Sequence, residues 1–193
     1  MTIKKVLLFA SAVLAVVAFA ATAMASEEEK LFDANTESEI QGHIEFNLVG
    51  SEKYLFQGNG FDCKVELVYT TENGKNNRIK SYKVSNCTGT GIFSKCVVKS
   101  TESTGLPWTV DLKGGNIIVT DKTIDLNLEK CGSTFFKVYF KEEKMTPDKL
   151  KGFGILTTAE AEDVTEDGET GAGKSSGEFE VQGEAKGTYG IEE

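Results

Sequence analysis

Gly168-Glu169-Thr170-Gly171-Ala172-Gly173-Lys174-Ser175 is a literal match to G-x-x-x-x-G-K-[ST], the pattern with which a glycine-rich turn cradles nucleotide phosphates. That chemistry needs a buried strand ahead of the loop and a helix behind it, so that backbone N–H groups and the helix N-terminus converge on phosphate. The flanks offer neither. Ala159 to Asp167 is too acidic for a core strand and would repel a triphosphate, and Glu178 to Gln182 alternates like a strand. Nucleotide binding through Gly168 to Ser175 therefore ranks third among the functional readings. The same stretch imitates the opening of an EF-hand loop, with Asp163, Thr165, Asp167 and Gly168 at positions 1, 3, 5 and 6, but Lys174 stands at position 12 where a bidentate acid is required. No metal or other cofactor is expected.

His43 is the only histidine, so a Ser-His-Asp triad would have to use it; it sits on the polar side of an alternating run, as an ordinary surface strand residue does. A carboxylate pair could hydrolyse a glycoside, but among 30 acids no pair stands out, and no catalytic residue is assigned. The formal net charge is -9, and Arg78 is the only arginine. Binding nucleic acid rests on Lys and Arg neutralising phosphates, so nucleic acid is not expected as a partner.

Cys63, Cys87, Cys96 and Cys131 are an even set, which in an exported chain argues for two disulfides. Their spacing lacks any C-x-x-C knuckle, which disfavours a zinc site. If Lys64 to Tyr69 and Arg78 to Val84 form a hairpin about Gly74 and Lys75, then Cys63 and Cys87 share one end of it. Cys96 opens the next strand. The preferred pairing is Cys87 with Cys96 and Cys63 with Cys131; a direct bridge from Cys63 to Cys87 is also geometrically allowed.

Ser85-Asn86-Cys87-Thr88-Gly89, Cys96-Val97-Val98 and Leu106-Pro107-Trp108, bracketed by Cys63 and Cys131, resemble uncharacterised exported bacterial β-proteins. The resemblance implies a secreted β scaffold with no assigned activity, in which Trp108 anchors the core. Tyr54, Phe56, Phe61 and Phe93 are the aromatics expected nearest the surface. Phe93, in the Cys-bounded loop, is the preferred contact for a partner.

The elements that position these residues follow a period of two. Ile44, Phe46 and Leu48 alternate with polar residues, as do Val65, Leu67 and Tyr69, then Trp108, Val110 and Leu112, then Ile124, Leu126 and Leu128. Phe135 to Phe140 and Ile155 to Thr157 add strands, and Phe179 with Val181 and Tyr189 with Ile191 suggest a closing pair. Turns are expected at Asn73-Gly74, Gly114-Gly115-Asn116 and Asp121-Lys122. A helical turn is expected near Thr146 to Leu150. About nine strands without crossover helices predict an all-β, antiparallel sandwich, with a barrel as the alternative. Residues 42–193 form the single domain, 26–41 a loose N-terminal segment, and 159–177 a mobile acidic, Gly-rich loop.

Residues 1–25 have the parts of a cleavable signal peptide: Lys4 and Lys5, an apolar run from Val6 to Ala21, and Ala23 and Ala25 before Ser26. Cleavage there removes two lysines and no acids, taking the charge from -9 to -11. The expected product is secreted or at the cell surface, without membrane insertion, where it meets an extracellular or cell-surface partner. The leading functional expectation is a binding or structural module of unassigned ligand. The alternative is a secreted carboxylate-dependent hydrolase.

Overall fold

Alternating residues give each strand one face for the core, and short hairpins let successive strands bury those faces together. The computed structural model describes residues 29–33, 36–133, 135–148, 152–166, 169–182 and 189–192. Within them lie β1 (Lys30–Asp33), β2 (Ser38–Glu39), β3 (His43–Phe56), β4 (Asn59–Glu72), β5 (Lys75–Thr90), β6 (Val97–Thr104), β7 (Trp108–Lys113), β8 (Asn116–Glu129), β9 (Phe135–Asp148), β10 (Gly152–Glu166), β11 (Glu169–Gln182) and β12 (Tyr189–Glu192). A 3-10 turn at Gly91–Phe93 is the helical element among them. The expected signal peptide lies outside the described residues, and no helix among them is long and apolar enough to cross a membrane.

The domain is all-β and antiparallel, as the alternation predicts. Nine strands join in the order β6-β8-β7-β5-β4-β3-β11-β10-β9, and β8 is also paired with β9 from Ile117 opposite Met145 to Asn127 opposite Phe135. The β8–β9 pairing thus makes the nine-stranded sheet curl back on itself, as the expected sandwich of antiparallel strands allows. The small sheet β12-β1-β2 buries Leu31. Three hairpins turn on residue pairs with positive φ: Gln57-Gly58, Asn73-Gly74 and Gly114-Gly115. Such pairs match the right-handed twist of the strands they join.

One apolar core runs through the molecule, including Phe46, Leu48, Val65, Ile79, Ile124 and Val138. Trp108 is buried in it, donates from Nε1 to the Thr104 carbonyl at 2.8 Å and packs on Tyr82 with ring centroids 5.2 Å apart.

Several expectations need correction. The cysteines pair as Cys63–Cys87 and Cys96–Cys131, with Cα atoms 4.0 and 4.9 Å apart. In the β4–β5 ladder Asp62 faces Thr88 and Lys64 faces Ser85, which brings Cys63 against Cys87. Cys96 and Cys131 flank the end of the β6–β8 ladder where Val97 faces Glu129. Phe93 is 1% exposed and stacks against Phe61 and Phe136 at 5.1 and 5.3 Å, so it fills the core instead of offering a partner contact. Tyr54, Phe56 and Phe61 are buried too, because the unexpected Gln57-Gly58 turn makes their segment a hairpin.

The stretch 159–177, expected as a mobile loop, belongs to β10 and β11 apart from Asp167 and Gly168, which lie outside the described residues. Gly177 there serves close strand approach, since a Cβ on it would collide with the Ser51 carbonyl of β3. The expected loose segment contributes β1 and β2. Thr146 bonds Asn116 at 2.8 Å within the sheet instead of capping a helix, and Lys149 and Leu150 lie outside the described residues. Asp121-Lys122 is no turn but the middle of β8. The expected closing strands do not pair with each other; β11 joins β3 and β12 joins β1.

Peptide mapping of the non-reduced protein is expected to recover Cys63 linked to Cys87 and Cys96 linked to Cys131, and a Cys87–Cys96 peptide would contradict this fold. Phe93→Ala should destabilise the domain by roughly 3 to 5 kcal/mol in denaturant titration, the usual cost of emptying a core aromatic site.

Candidate functional site

Strand β3 alternates from Phe46 and Leu48 through Gly50 and Glu52 to Tyr54 and Phe56, and this phase carries a carboxylate onto the core face. Gly50 keeps its place clear, since a Cβ there would meet the Phe179 ring at 2.9 Å. The neighbouring strand β11 aligns Ser175 with Tyr54 and Gly177 with Glu52. On the far side of the core, β8 and β9 both change side-chain phase at Asp121 and Lys141: Ile117 and Val119 give way to Lys122 and Ile124, and Phe140 gives way to Glu143 and Met145. Asp121 has φ of 54°, the backbone kink that makes the change in β8. A shift between Val68 and Tyr69 in the β4–β5 register likewise turns Tyr82 inward.

These strands deliver a closed ionic cluster. Lys122 Nζ lies 2.9 and 2.8 Å from the two carboxyl oxygens of Glu52, 2.9 and 2.7 Å from those of Glu143, and 3.1 Å from the Tyr82 hydroxyl. Lys122, Glu52 and Glu143 are 0%, 1% and 2% exposed. Ser175 donates to Glu52 and sits 3.4 Å from Glu143, while Tyr82 and Tyr54 donate to Glu52, Tyr54 at 3.2 Å. The ammonium also lies over the rings of Tyr82, Phe140 and Tyr54 at 4.6, 5.2 and 5.8 Å, a further electrostatic attraction.

Two carboxyls around one ammonium cannot both ionise cheaply in a low-dielectric core. Burial, reinforced by the negative charge of Glu52, pushes Glu143 up to about 8, so it keeps its proton at neutral pH. Burial would raise Glu52 as well, but Lys122 and the hydrogen bonds from Lys122, Ser175 and Tyr82 outweigh it and hold Glu52 below the ordinary carboxylate range. Burial and the Glu52 charge push the Tyr54 and Tyr82 phenols well up, keeping them as donors. The cluster is therefore neutral as a whole: one ammonium, one carboxylate, one carboxylic acid.

Other sequence candidates lie apart. Glu169 to Ser175 runs along β11 with Lys174 exposed and Ser175 turned into the cluster, and the strand continues to Gln182 where a phosphate loop would need a helix. Asp163 and Thr165 lie in β10 opposite Tyr139 and Lys137. His43 opens β3, exposed, opposite Glu72. Among the described residues no three His, Cys, Asp or Glu groups converge as a metal site would. A shallow polar cleft of about 400 Å³ lies along β5 and β7 by Arg78 and Asp111, and next to it Glu29 accepts hydrogen bonds from the backbone N–H groups of Gly114 and Gly115. No family model, curated protein or solved structure matches this chain.

Glu52, Lys122, Glu143 and Ser175 were missed because charged and hydroxyl residues read as surface. For three of them a clear signal exists. Glu52 shares the phase of Phe46, Leu48, Tyr54 and Phe56, Lys122 that of Ile124, Leu126 and Leu128, and Ser175 that of Phe179 and Val181.

The ionic cluster sets the pH dependence of stability. Glu143 binds its proton more tightly folded than unfolded, so its contribution is complete below about pH 4.5 and is lost as pH rises through about 8. Glu52 has the opposite sign, and its contribution is lost as pH falls below the ordinary carboxylate range. Thermal unfolding should show stability falling by of the order of 3 to 5 kcal/mol between about pH 5 and about pH 9, with Glu143→Gln flattening that limb. Lys122→Met, which strands the Glu52 charge, should cost roughly 3 to 5 kcal/mol at neutral pH.

Proposed function

We propose that this protein is an exported structural or binding module, made rigid by a polar-locked core and two disulfides, that acts through its surface on an extracellular or cell-surface partner. The observation that carries the reading is the condition of the buried carboxylate pair. A glycoside hydrolase keeps its two carboxyls open to sugar and water. Glu52 and Glu143 are instead closed over by the sheet and clamped on Lys122.

Export is supported from two directions. Both disulfides belong to an oxidising environment, where such bonds form and persist. The segment before Ser26 has the charge, apolar run and small residues of a secretory signal. The resemblance to exported β-proteins with the same cysteine and Leu-Pro-Trp order fits the reading. Nucleotide binding is disfavoured by the strand geometry of Glu169 to Ser175.

Expressed in an exporting bacterial host, the protein should be recovered outside the cytoplasm with Ser26 as its first residue. Retention of Met1 would remove the basis for export. No turnover is expected on chromogenic glycosides. Turnover abolished by Glu52→Gln would overturn the module reading in favour of the hydrolase.

A further inference from the structure

Lys122 Nζ and the Glu143 carboxyl are a nitrogen nucleophile and an acyl group in contact inside a core closed to solvent. We propose that Lys122 condenses with Glu143 into an intramolecular amide cross-link between β8 and β9, with Glu52 accepting the ammonium proton. The near-equal distances of 2.9 and 2.7 Å put the nitrogen near the bisector of the Glu143 carboxyl. Rotation about Cβ–Cγ of Glu143 or about the terminal torsions of Lys122 carries the nitrogen off that line and over the face of the carboxyl, from which attack on Cδ occurs. Holding the reactants in this way replaces a bimolecular encounter by a unimolecular step, equivalent to concentrations of about 10⁵ M or more in well-oriented cases.

The step balances without an outside reagent. The ammonium passes one proton to the Glu52 carboxylate at 2.8 to 2.9 Å, and the amine adds to Cδ of the protonated Glu143 carboxyl. The tetrahedral intermediate breaks its C–O bond, and the departing hydroxyl takes a second proton from nitrogen and leaves as water. One N–C bond forms, one C–O bond breaks, and nothing is oxidised or reduced. An ammonium and a carboxylate become a neutral amide and a neutral carboxylic acid, which removes the cost of keeping two charges in the core.

The roles of the two glutamates are not interchangeable. Glu143 keeps its proton and so carries a hydroxyl that can leave as water. Glu52 is the anion in direct contact with the ammonium and accepts hydrogen bonds from Ser175, Tyr54 and Tyr82, so the proton that Lys122 gives up has it as acceptor, and as a carboxylate it is the poorer target for attack.

The test is the intact mass of the full chain, purified from an exporting host with its disulfides formed. The expected mass is one water below that of the mature, disulfide-bonded chain. After reduction, trypsin should leave Lys122 uncut and yield residues 114–130 joined to residues 142–144. Lys122→Met should lose the join and the water deficit, and Glu52→Gln, which keeps both reacting groups, should slow the join by at least about tenfold, within the usual range for losing a proton-transfer group. Freshly refolded protein should show the alkaline loss of stability described above, and aged protein should lose it because condensation consumes the Glu143 carboxyl. Full mass with normal cleavage after Lys122, in aged wild-type protein, would mean a salt bridge only and would overturn the proposal. A join to the peptide containing Glu52 would overturn the assignment of the acyl partner.

Discussion

A buried ammonium must find its partners inside the protein, and Lys122 finds them on strands that the chain separates widely. Glu52 comes from β3, Tyr82 from β5, Glu143 from β9 and Ser175 from β11, while Lys122 itself comes from β8. Because side chains alternate, a one-residue slip in any of these strands would send its polar group outward and leave a charge unpaired. The cluster thus acts as a register lock on the sheet. Apolar packing is more forgiving, since a core of similar volume tolerates rearrangement that a polar network does not.

That lock is joined to the covalent one. Glu52 faces Cys63 in the β3–β4 ladder, and Cys63 is bonded to Cys87 of β5. One layer of the molecule therefore runs from Lys122 through Glu52 to the first disulfide, linking β8, β3, β4 and β5. The ion cluster is not by itself a ready source of stability. A buried ion cluster carries a desolvation cost that well-packed apolar residues would avoid, which makes specificity of register the better account of its presence.

Much of the fold was legible in the sequence because it rests on local rules. Period two located most of the strands, and Asn73-Gly74 and Gly114-Gly115 marked turns through their tolerance of positive φ. What failed did so where tertiary contacts override local signals. Gly-rich, acidic 159–177 looks unable to hold a strand alone, yet β3 and β9 supply it with partners on both sides of the β10–β11 hairpin. Phe93 looked like a loop-tip aromatic because nothing nearby in sequence shows that Phe61 and Phe136 leave a place for it. The disulfide pairing turned on which strands are neighbours in space, and only the β6–β8 ladder reveals that Cys96 lies by Cys131. In the cluster, Glu143 had the weakest signal, since the phase of β9 changes at Lys141 and Met145 alone shares its side.

The same three side chains illustrate how environment decides what carboxylates do. Two carboxyls at the floor of an open cleft, one protonated and one ionised, are the equipment of an acid–base hydrolase acting on a substrate with water at hand. Enclose the pair, put a lysine between them and exclude water, and intermolecular hydrolysis loses both of its reactants. The protonated carboxyl then has the nitrogen of Lys122 against it, and the ionised carboxyl stands ready for the proton that this nitrogen gives up. The reaction such a site favours runs opposite to hydrolysis, because an amide and a carboxylic acid replace two charges that the core must otherwise keep desolvated.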